Sequence, residues 1–330
     1  MKKIKLGTYL FINLITNQNL SEIMIEILVK RLKNNPIIYP ELDASIGSNI
    51  AGPSLIRVPR WIENPLGNYY LYFAGHKGTY IRLAFAEKLE GPWKIYRNGS
   101  LHLEESYFPT VPPKLKIRKN MLDDDVPHIA SPDIHVIEDS KEIRMYYHGL
   151  EVGRRQLTRV ATSIDGIHFN ARPKIITPPY LRVFHYGEYF YGMSMPGIFY
   201  RSLNGLDHFE QGKRLFPITM RHSALRVVNN QLQIFWTNVG ESPEKILLST
   251  IELTEDWLTW KPSDPIEVLR PEEDWEGGNL KPIPSKRGPV YEKACQLRDP
   301  AIYEENNKIY MLYSVAGESG IAIVELKFEN

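Results

Sequence analysis

Residues 298–317, RDPAIYEENNKIYMLYSVAG, contain the pattern that decides the fold. Apolar and polar residues alternate in IYMLY at 309–313, which predicts a strand with one face buried in a sheet. The turn ENN at 305–307 joins this strand to the preceding one as a hairpin. The same order of short strand, turn and aromatic strand recurs in four further units, within residues 52–96, 131–169, 180–209 and 222–260.

Five such units predict an all-β protein with the architecture of a five-bladed β-propeller, since radial repetition leaves few exposed sheet edges. The last unit lacks an outer strand, and the segment near KNNPIIYP at 33–40 is the candidate to supply it by closing the ring with the N-terminus. Before it, SEIMIEILVKRLK at 21–33 fits either a helix or an extended strand. We therefore divide the chain into an N-terminal segment, 1–34, that can take part in ring closure, and a propeller domain, 35–330.

Composition excludes several function classes. The formal net charge of the 330 residues is +1, which gives no electrostatic basis for binding nucleic acid. No stretch approaches the roughly 20 apolar residues of a spanning helix, so no membrane partner is expected. The basic, apolar N-terminus is interrupted by Asn13, Thr16 and Asn17 and lacks a typical signal cleavage site. These features favour a cytoplasmic location, with secretion as the alternative.

A binding site is expected where the inner strands of the blades begin. Two long connections, 100–130 and 270–296, precede the second and fifth blades, and loops of that length are usually functional. The inner-strand starts carry polar and charged side chains suited to a hydroxyl-rich ligand. They are Asn49, Ser54, His128, Asp133, Arg182, Arg221, His222, Arg298 and Asp299.

Asp133 and Asp299 are the best-placed pair of carboxylates for glycosidic cleavage, in which one acid is protonated and the other ionised. Each could instead cap a turn beside its proline. His128 and His222 could donate hydrogen bonds to sugar hydroxyls, or serve as structural histidines. Arg182, Arg221 and Arg298 could bind an anionic group such as a uronate carboxylate, or pair with neighbouring acids. No metal-binding or cofactor motif occurs, and neither a metal nor a cofactor is expected.

Several segments together resemble glycoside hydrolase family 43 and its five-bladed relatives, including mannoside-phosphorylase-like enzymes. They are NNPIIYP (34–40), GPSLIRVP (52–59), NYYLYFA (68–74), ASPDIHVIEDSKEIRMYYHG (130–149) and RDPAIYEENNKIYMLYS (298–314). The resemblance implies an Asp base on the first blade, an Asp that tunes the acid on the second and a Glu acid on the third. Asp133 matches the second-blade Asp. Gly52 stands where the first Asp is expected, and the segment from 178 lacks the Glu.

The leading hypothesis is a glycoside hydrolase-like enzyme that acts on an oligosaccharide or glycoside. Asp133 and Asp299 would lie in the central funnel of the propeller, where the inner strands begin. Glu276 from the second long connection would supply the remaining acid, and Trp275 beside it would stack on a sugar ring. The other candidate acids in the two long connections are Glu273, Asp274, Glu104, Glu105 and Asp123–Asp125. A charged run of this kind can also be a solvated face. Two alternatives stay open: a propeller that binds carbohydrate without cleaving it, and a glycoside phosphorylase whose arginines bind phosphate.

Overall fold

The computed structural model describes residues 26–112, 126–153 and 155–329. In these residues, twenty strands form five antiparallel sheets of four strands each. The protein is therefore an all-β, five-bladed propeller, and the predicted architecture is confirmed. No helix in the described residues is long and apolar enough to cross a membrane.

The strands run through the blades in chain order, apart from the first. The outer strand of blade 5 is β1 (Glu26–Arg31). Blade 1 contains β2 (Ala51–Arg57), β3 (Tyr69–Ala74), β4 (Tyr80–Ala86) and β5 (Lys94–His102). Blade 2 contains β6 (Ile129–Ile137), β7 (Glu142–Glu151), β8 (Arg155–Ser163) and β9 (Asn170–Ala171). Blade 3 contains β10 (Arg182–Tyr186), β11 (Tyr189–Ser194), β12 (Ile198–Ser202) and β13 (Glu210–Arg214). Blade 4 contains β14 (Met220–Val228), β15 (Gln231–Asn238), β16 (Ile246–Glu252) and β17 (Ile266–Leu269). Blade 5 adds β18 (Arg298–Glu305), β19 (Lys308–Ser314) and β20 (Ile321–Glu329).

The N-terminal strand closes the ring. β1 pairs antiparallel with β20, from Glu26 opposite Glu329 to Arg31 opposite Val324. The ambiguous segment before KNNPIIYP is thus a strand where it is described, as its Ile and Val content allows. The outer strand therefore lies just before KNNPIIYP, within the segment 1–34. KNNPIIYP itself contributes a single bridge, between Ile38 and Ile321.

Apolar side chains fill the spaces between neighbouring blades. One buried cluster lies at each of the five blade interfaces. The tyrosines of the repeated motifs belong to these clusters: Tyr70 packs between blades 1 and 2, and Tyr313 between blades 4 and 5. Burying these large rings stabilises the ring of blades by the hydrophobic effect.

The inner strands share a bulge where they approach the propeller axis. Pairing shifts after Ala51 in β2, after Ala130 in β6 and after Arg298 in β18, and resumes at Ser54, Asp133 and Ala301. A bulge of this kind redirects side chains and leaves backbone groups unpaired. It therefore determines which residues of each inner strand face the axis.

Candidate functional site

A pocket of about 410 Å³ opens at the propeller axis. That volume is within the range of small-molecule sites. The described residues that line it carry ring, amide and guanidinium groups and include no carboxylate. They are His76, Arg155, Gln156, Leu157, Pro178, Pro179, Tyr180, Met195, Arg221, His222, Arg287, Gly288 and Pro289.

A much smaller cavity lies against the same His76 and Tyr180 side chains. Its lining includes Ser131, Asp299 and Glu318, so the acidic groups of the axis face this cavity and not the larger pocket. Two environments therefore meet at His76 and Tyr180: a basic pocket and an acidic cavity.

Two buried arginines each contact a buried glutamate. Arg221 donates to both oxygens of Glu244, at 2.8 and 2.5 Å. Arg298 donates to Glu318 Oε1 at 2.8 Å, and its side chain is fully buried. Glu318 also accepts from Asn49 Nδ2 at 2.7 Å. Burial alone would raise the pKa of Glu318, but His76, Arg298 and Asn49 lower it to about 2.

Asp299 is a buried carboxyl group in contact with His222. Its Oδ1 lies 3.2 Å from His222 Nδ1, and its Oδ2 accepts from Ser314 Oγ at 3.1 Å. Burial and the charge of Glu318 raise the pKa of Asp299 to about 6, despite the nearby arginines. Burial, reinforced by Arg221 and Arg298, lowers the pKa of His222 well below its ordinary value. Asp299 can therefore carry a proton near pH 6, where His222 stays uncharged.

Tyr180 forms the centre of an aromatic stack at the pocket floor. Its ring centroid lies 4.4 Å from that of His148 and 5.0 Å from that of His222. Tyr180 adopts a left-handed backbone conformation, with φ at +59°. A bulky residue held in that region indicates local strain of the kind found at functional sites.

Three blades place a left-handed residue at the same point of the inner strand, at Gly52, Ser131 and Asp299, and in blade 3 the left-handed Tyr180 lies two residues before β10. Equivalence follows from the bulges, since Gly52, Ser131 and Asp299 each directly precede a proline within the shifted register. Asp133 lies two residues further on and is equivalent to Ser54. Asp133 and Asp299, the pair of carboxylates considered for glycosidic cleavage, therefore do not occupy equivalent positions on their strands. Among these four positions, only blade 5 carries a carboxylate.

The residues equivalent to Asp133 link successive blades. Ser54 Oγ accepts from Ile134 N of blade 2 at 3.0 Å. Asp133 Oδ2 accepts from Val183 N of blade 3 at 2.8 Å. Arg182 Nε donates to Ser223 O of blade 4 at 3.1 Å. Neither Asp133 nor Arg182 is among the described residues that line either cavity.

Glu276 lies in a buried contact with the N-terminal strand. Its two oxygens accept from Arg31 Nε and Nη2, each at 2.9 Å, and from Tyr313 OH at 2.6 Å. The backbone N–H groups of Glu272 and Glu273 complete its hydrogen bonds. Trp275 packs against the cluster between blades 4 and 5. The structure thus does not bring Glu276 or Trp275 to the lining of the pocket with Arg221 and His222.

Of the remaining predicted residues, His128 is buried, and its Nδ1 lies 2.7 Å from Val126 O. The acidic run Asp123–Asp125, a further candidate from the first long connection, lies outside the described residues. Among described residues, no cluster of three or more His, Cys, Asp or Glu side chains is suited to a metal ion.

Sequence reasoning missed several pocket residues. His76 lies in the hairpin loop between β3 and β4, and Tyr180 lies two residues before β10. The repeat pattern gives no chemical signal at either position. Arg287 lies in the long connection 270–296, downstream of the acidic run that suggests a catalytic lid. Glu244 and Glu318 were also missed, although an unpaired buried arginine would require such partners.

Comparison with known proteins places the chain in context. No family model matches the sequence. The uncharacterized protein R118 of Acanthamoeba polyphaga mimivirus is 33% identical over 326 residues, covering 90% of each chain.

Three solved structures with similar architecture are described as glycoside hydrolases or candidate glycoside hydrolases. A candidate glycoside hydrolase from Parabacteroides distasonis matches with a TM-score of 0.61 and 13% identity, over 90% of this chain and 95% of that one. An endo-1,4-beta-xylanase from Bacteroides thetaiotaomicron gives 0.55 and 11%, over 86% and 95%. A family-43 beta-xylosidase/alpha-arabinofuranosidase from a compost metagenome, solved with xylotriose, gives 0.53 and 11%, over 91% and 95%. The fold is therefore that of the family-43-like propellers.

Proposed function

We propose a function from the premise that this chain belongs to the same family as the uncharacterized protein R118 of Acanthamoeba polyphaga mimivirus. The protein binds a carbohydrate in the pocket at the propeller axis. The observation that carries this proposal is the pocket itself: about 410 Å³, with the ring of Tyr180 at its floor and donors such as Arg221 and Gln156 around it. Aromatic surface with a few convergent polar groups is typical of small-ligand sites.

The fold supports a carbohydrate as the ligand. The similar solved structures are described as glycosidases, and one of them contains xylotriose. Fold alone does not transfer catalysis, because chemistry depends on particular side chains. Hydrolysis by two carboxylates needs both acids beside the scissile bond, about 5–9.5 Å apart. Among the described lining residues, the larger pocket presents no carboxylate.

Binding is tested by filling the pocket. Leu157 is a half-buried lining residue on β8, and Leu157→Trp adds bulk without removing a polar group. Leu203→Trp is the matched control, since Leu203 is exposed and lines a groove on blade 3. A panel of neutral and acidic oligosaccharides is screened against the three proteins. We expect binding by wild type and Leu203→Trp and a loss of at least about tenfold in Leu157→Trp. Equal binding by all three, or binding by none, would refute the proposal.

A second candidate function is phosphorolysis, favoured by the position of Asp299 in the small cavity that adjoins the pocket at His76 and Tyr180, and by its raised pKa. In that reaction a phosphate oxygen forms the new bond to the anomeric carbon as the glycosidic C–O bond breaks. The departing oxygen takes the proton of a single carboxylic acid. Phosphate thus replaces the water that a second carboxylate would activate. Release of a sugar phosphate that requires inorganic phosphate, and is lost in Asp299→Asn, would establish it. Absence of that product with every bound oligosaccharide would exclude it.

A further inference from the structure

The pocket wall has an excess of positive charge. Three arginines line it, Arg155, Arg221 and Arg287, and no acidic side chain does so among the described residues. The three differ in their partners. Arg221 is neutralised by its two hydrogen bonds to the buried Glu244, and Arg155 is exposed at the rim.

Arg287 has only neutral partners within the described chain. Its Nη2 donates to Ile218 O at 2.9 Å, and its Nη1 contacts Met195 Sδ at 3.3 Å. Burial, reinforced by the charge of Arg221, lowers the pKa of Arg287. A guanidinium carries five N–H donors and keeps its charge at neutral pH. Arg287 therefore lines the pocket without an ion-pair partner among the described residues, and its two contacts leave further N–H donors unused.

The loop segment that carries Arg287 is held in place on both sides. Lys286 O accepts from Arg221 Nη1 at 3.1 Å, and Gly288 O accepts from Arg298 Nη1 at 3.2 Å. Val290 O accepts from Asn49 Nδ2 at 3.1 Å. The donors belong to residues at the propeller axis, so the backbone around Arg287 is fixed before a ligand arrives. Such preorganisation reduces the entropic cost of binding.

We propose that Arg287, with Arg221 beside it, binds an anionic group of the pocket's ligand. The group is an oxyanion, either the carboxylate or phosphate of an acidic sugar or free inorganic phosphate. A guanidinium matches such groups because two parallel N–H donors can reach two oxygens. A bound anion would also pair the partly buried charge of Arg287, which is costly to leave unpaired. The part of this inference that concerns an acidic sugar rests on the proposed function. Binding of an oxyanion at Arg287 can be measured without a sugar, with inorganic phosphate as the probe.

The experiment compares three probes: glucuronate, glucose and inorganic phosphate. Each is titrated into wild type, Arg287→Gln and Arg201→Gln by isothermal calorimetry at low ionic strength. Arg201 is the control because it pairs with Glu210 on blade 3, in the groove that also contains Leu203. We expect wild type and Arg201→Gln to bind glucuronate or phosphate more tightly than glucose. Arg287→Gln should weaken binding of the anion at least about tenfold and leave glucose unchanged.

Two further readouts complete the test. Arg287→Lys keeps the charge but not the planar fork, so its anion affinity should fall between those of wild type and Arg287→Gln. Competition between phosphate and glucuronate would indicate one shared site, and a response to phosphate alone would identify the free ion as the source. Equal affinity of wild type and Arg287→Gln for the anions would overturn the inference, as would an affinity of wild type for glucose that equals its affinity for both glucuronate and phosphate.

The outcome also separates this inference from the proposed function. Arg287-dependent binding of phosphate, without binding of any oligosaccharide, would support the oxyanion site and refute the carbohydrate proposal. Binding of neutral and acidic oligosaccharides with equal affinity, blocked by Leu157→Trp, would support the carbohydrate proposal and refute the oxyanion site.

Discussion

Two aspartates on inner strands, Asp299 and Asp133, have pKa values displaced in opposite directions. Asp299 lies beside Glu318 in a buried cavity, and its pKa is raised to about 6 from the ordinary 3.8. Burial would also raise the pKa of Asp133, but His135, Arg182 and the N–H of Val183 hold it below its ordinary value. The bulge accounts for the contrast, since it turns one residue toward the axis and the other toward the neighbouring blade.

Replacing Asp299 with Asn should remove the contribution of this carboxyl group to the pH dependence of the free energy of unfolding. A carboxyl group with a raised pKa stabilises the fold below about pH 4, and this contribution is lost as pH rises through about 6. Two units of displacement correspond to about 3 kcal/mol. The free energy of unfolding of Asp299→Asn, relative to wild type, should therefore rise by up to about 3 kcal/mol between pH 4 and pH 8. Urea denaturation at both pH values measures it, and an unchanged difference would contradict the account.

In the same urea denaturation assay, Asp133→Asn should change the pH dependence of the free energy of unfolding in the opposite direction. A carboxylate with a lowered pKa stabilises the fold above the ordinary value, and that contribution is lost as pH falls below it. Asp133→Asn should therefore be less stable than wild type at pH 7, by roughly 1–2 kcal/mol. The deficit should shrink as pH falls below 4. Carbohydrate affinity should be unchanged, because Asp133 lines neither cavity; a large loss of affinity at preserved stability would return Asp133 to the site.

At the scale of elements, closure of the ring depends on a contact between the N-terminal strand and the second long connection. Arg31, at the end of β1, forms an ion pair with the buried Glu276 and another with the partly exposed Glu272. Tyr313 of β19 donates to the same glutamate. The acidic run that resembles a catalytic lid in the sequence thus joins two parts of blade 5.

These two glutamates form a matched pair for a stability test. Glu276→Gln leaves Arg31 without its buried partner, and breaking such a pair costs about 3–5 kcal/mol. Glu272→Gln removes an exposed partner and should cost about 0–1 kcal/mol. Thermal unfolding of both variants measures the difference. Similar melting temperatures would show that the buried pair does not support closure.

For the whole molecule, the period of the sequence pattern was sufficient to predict five blades. Alternating residues, as in 309–313, report which face of a strand is buried, and turns such as 305–307 report where strands end. The sequence places ring closure in the segment near KNNPIIYP, and β1 lies just before that segment. Ile and Val at helical spacing did not identify 26–31 as a strand, because closure depends on contacts with β20 at the other end of the chain.

The site was less predictable than the fold. Arg221 and His222 were identified because they lie at the start of an inner strand, and both line the pocket. Asp133 and Arg182 also lie near such a start, but the bulge directs them to neighbouring blades. Arg287 and Tyr180 depend on how a long loop and a strained residue fold against the axis. Sequence periodicity carries no information on either.

The most direct measurement of the central claim is a crystal structure of the protein with an acidic oligosaccharide selected by the binding screen. The account predicts a sugar ring against Tyr180 and His76 in the pocket at the propeller axis. It also predicts the anionic group within about 3 Å of the Arg287 or Arg221 guanidinium. A carbohydrate bound on the outer blades with the axial pocket empty, or one whose anionic group points away from both arginines, would contradict the account.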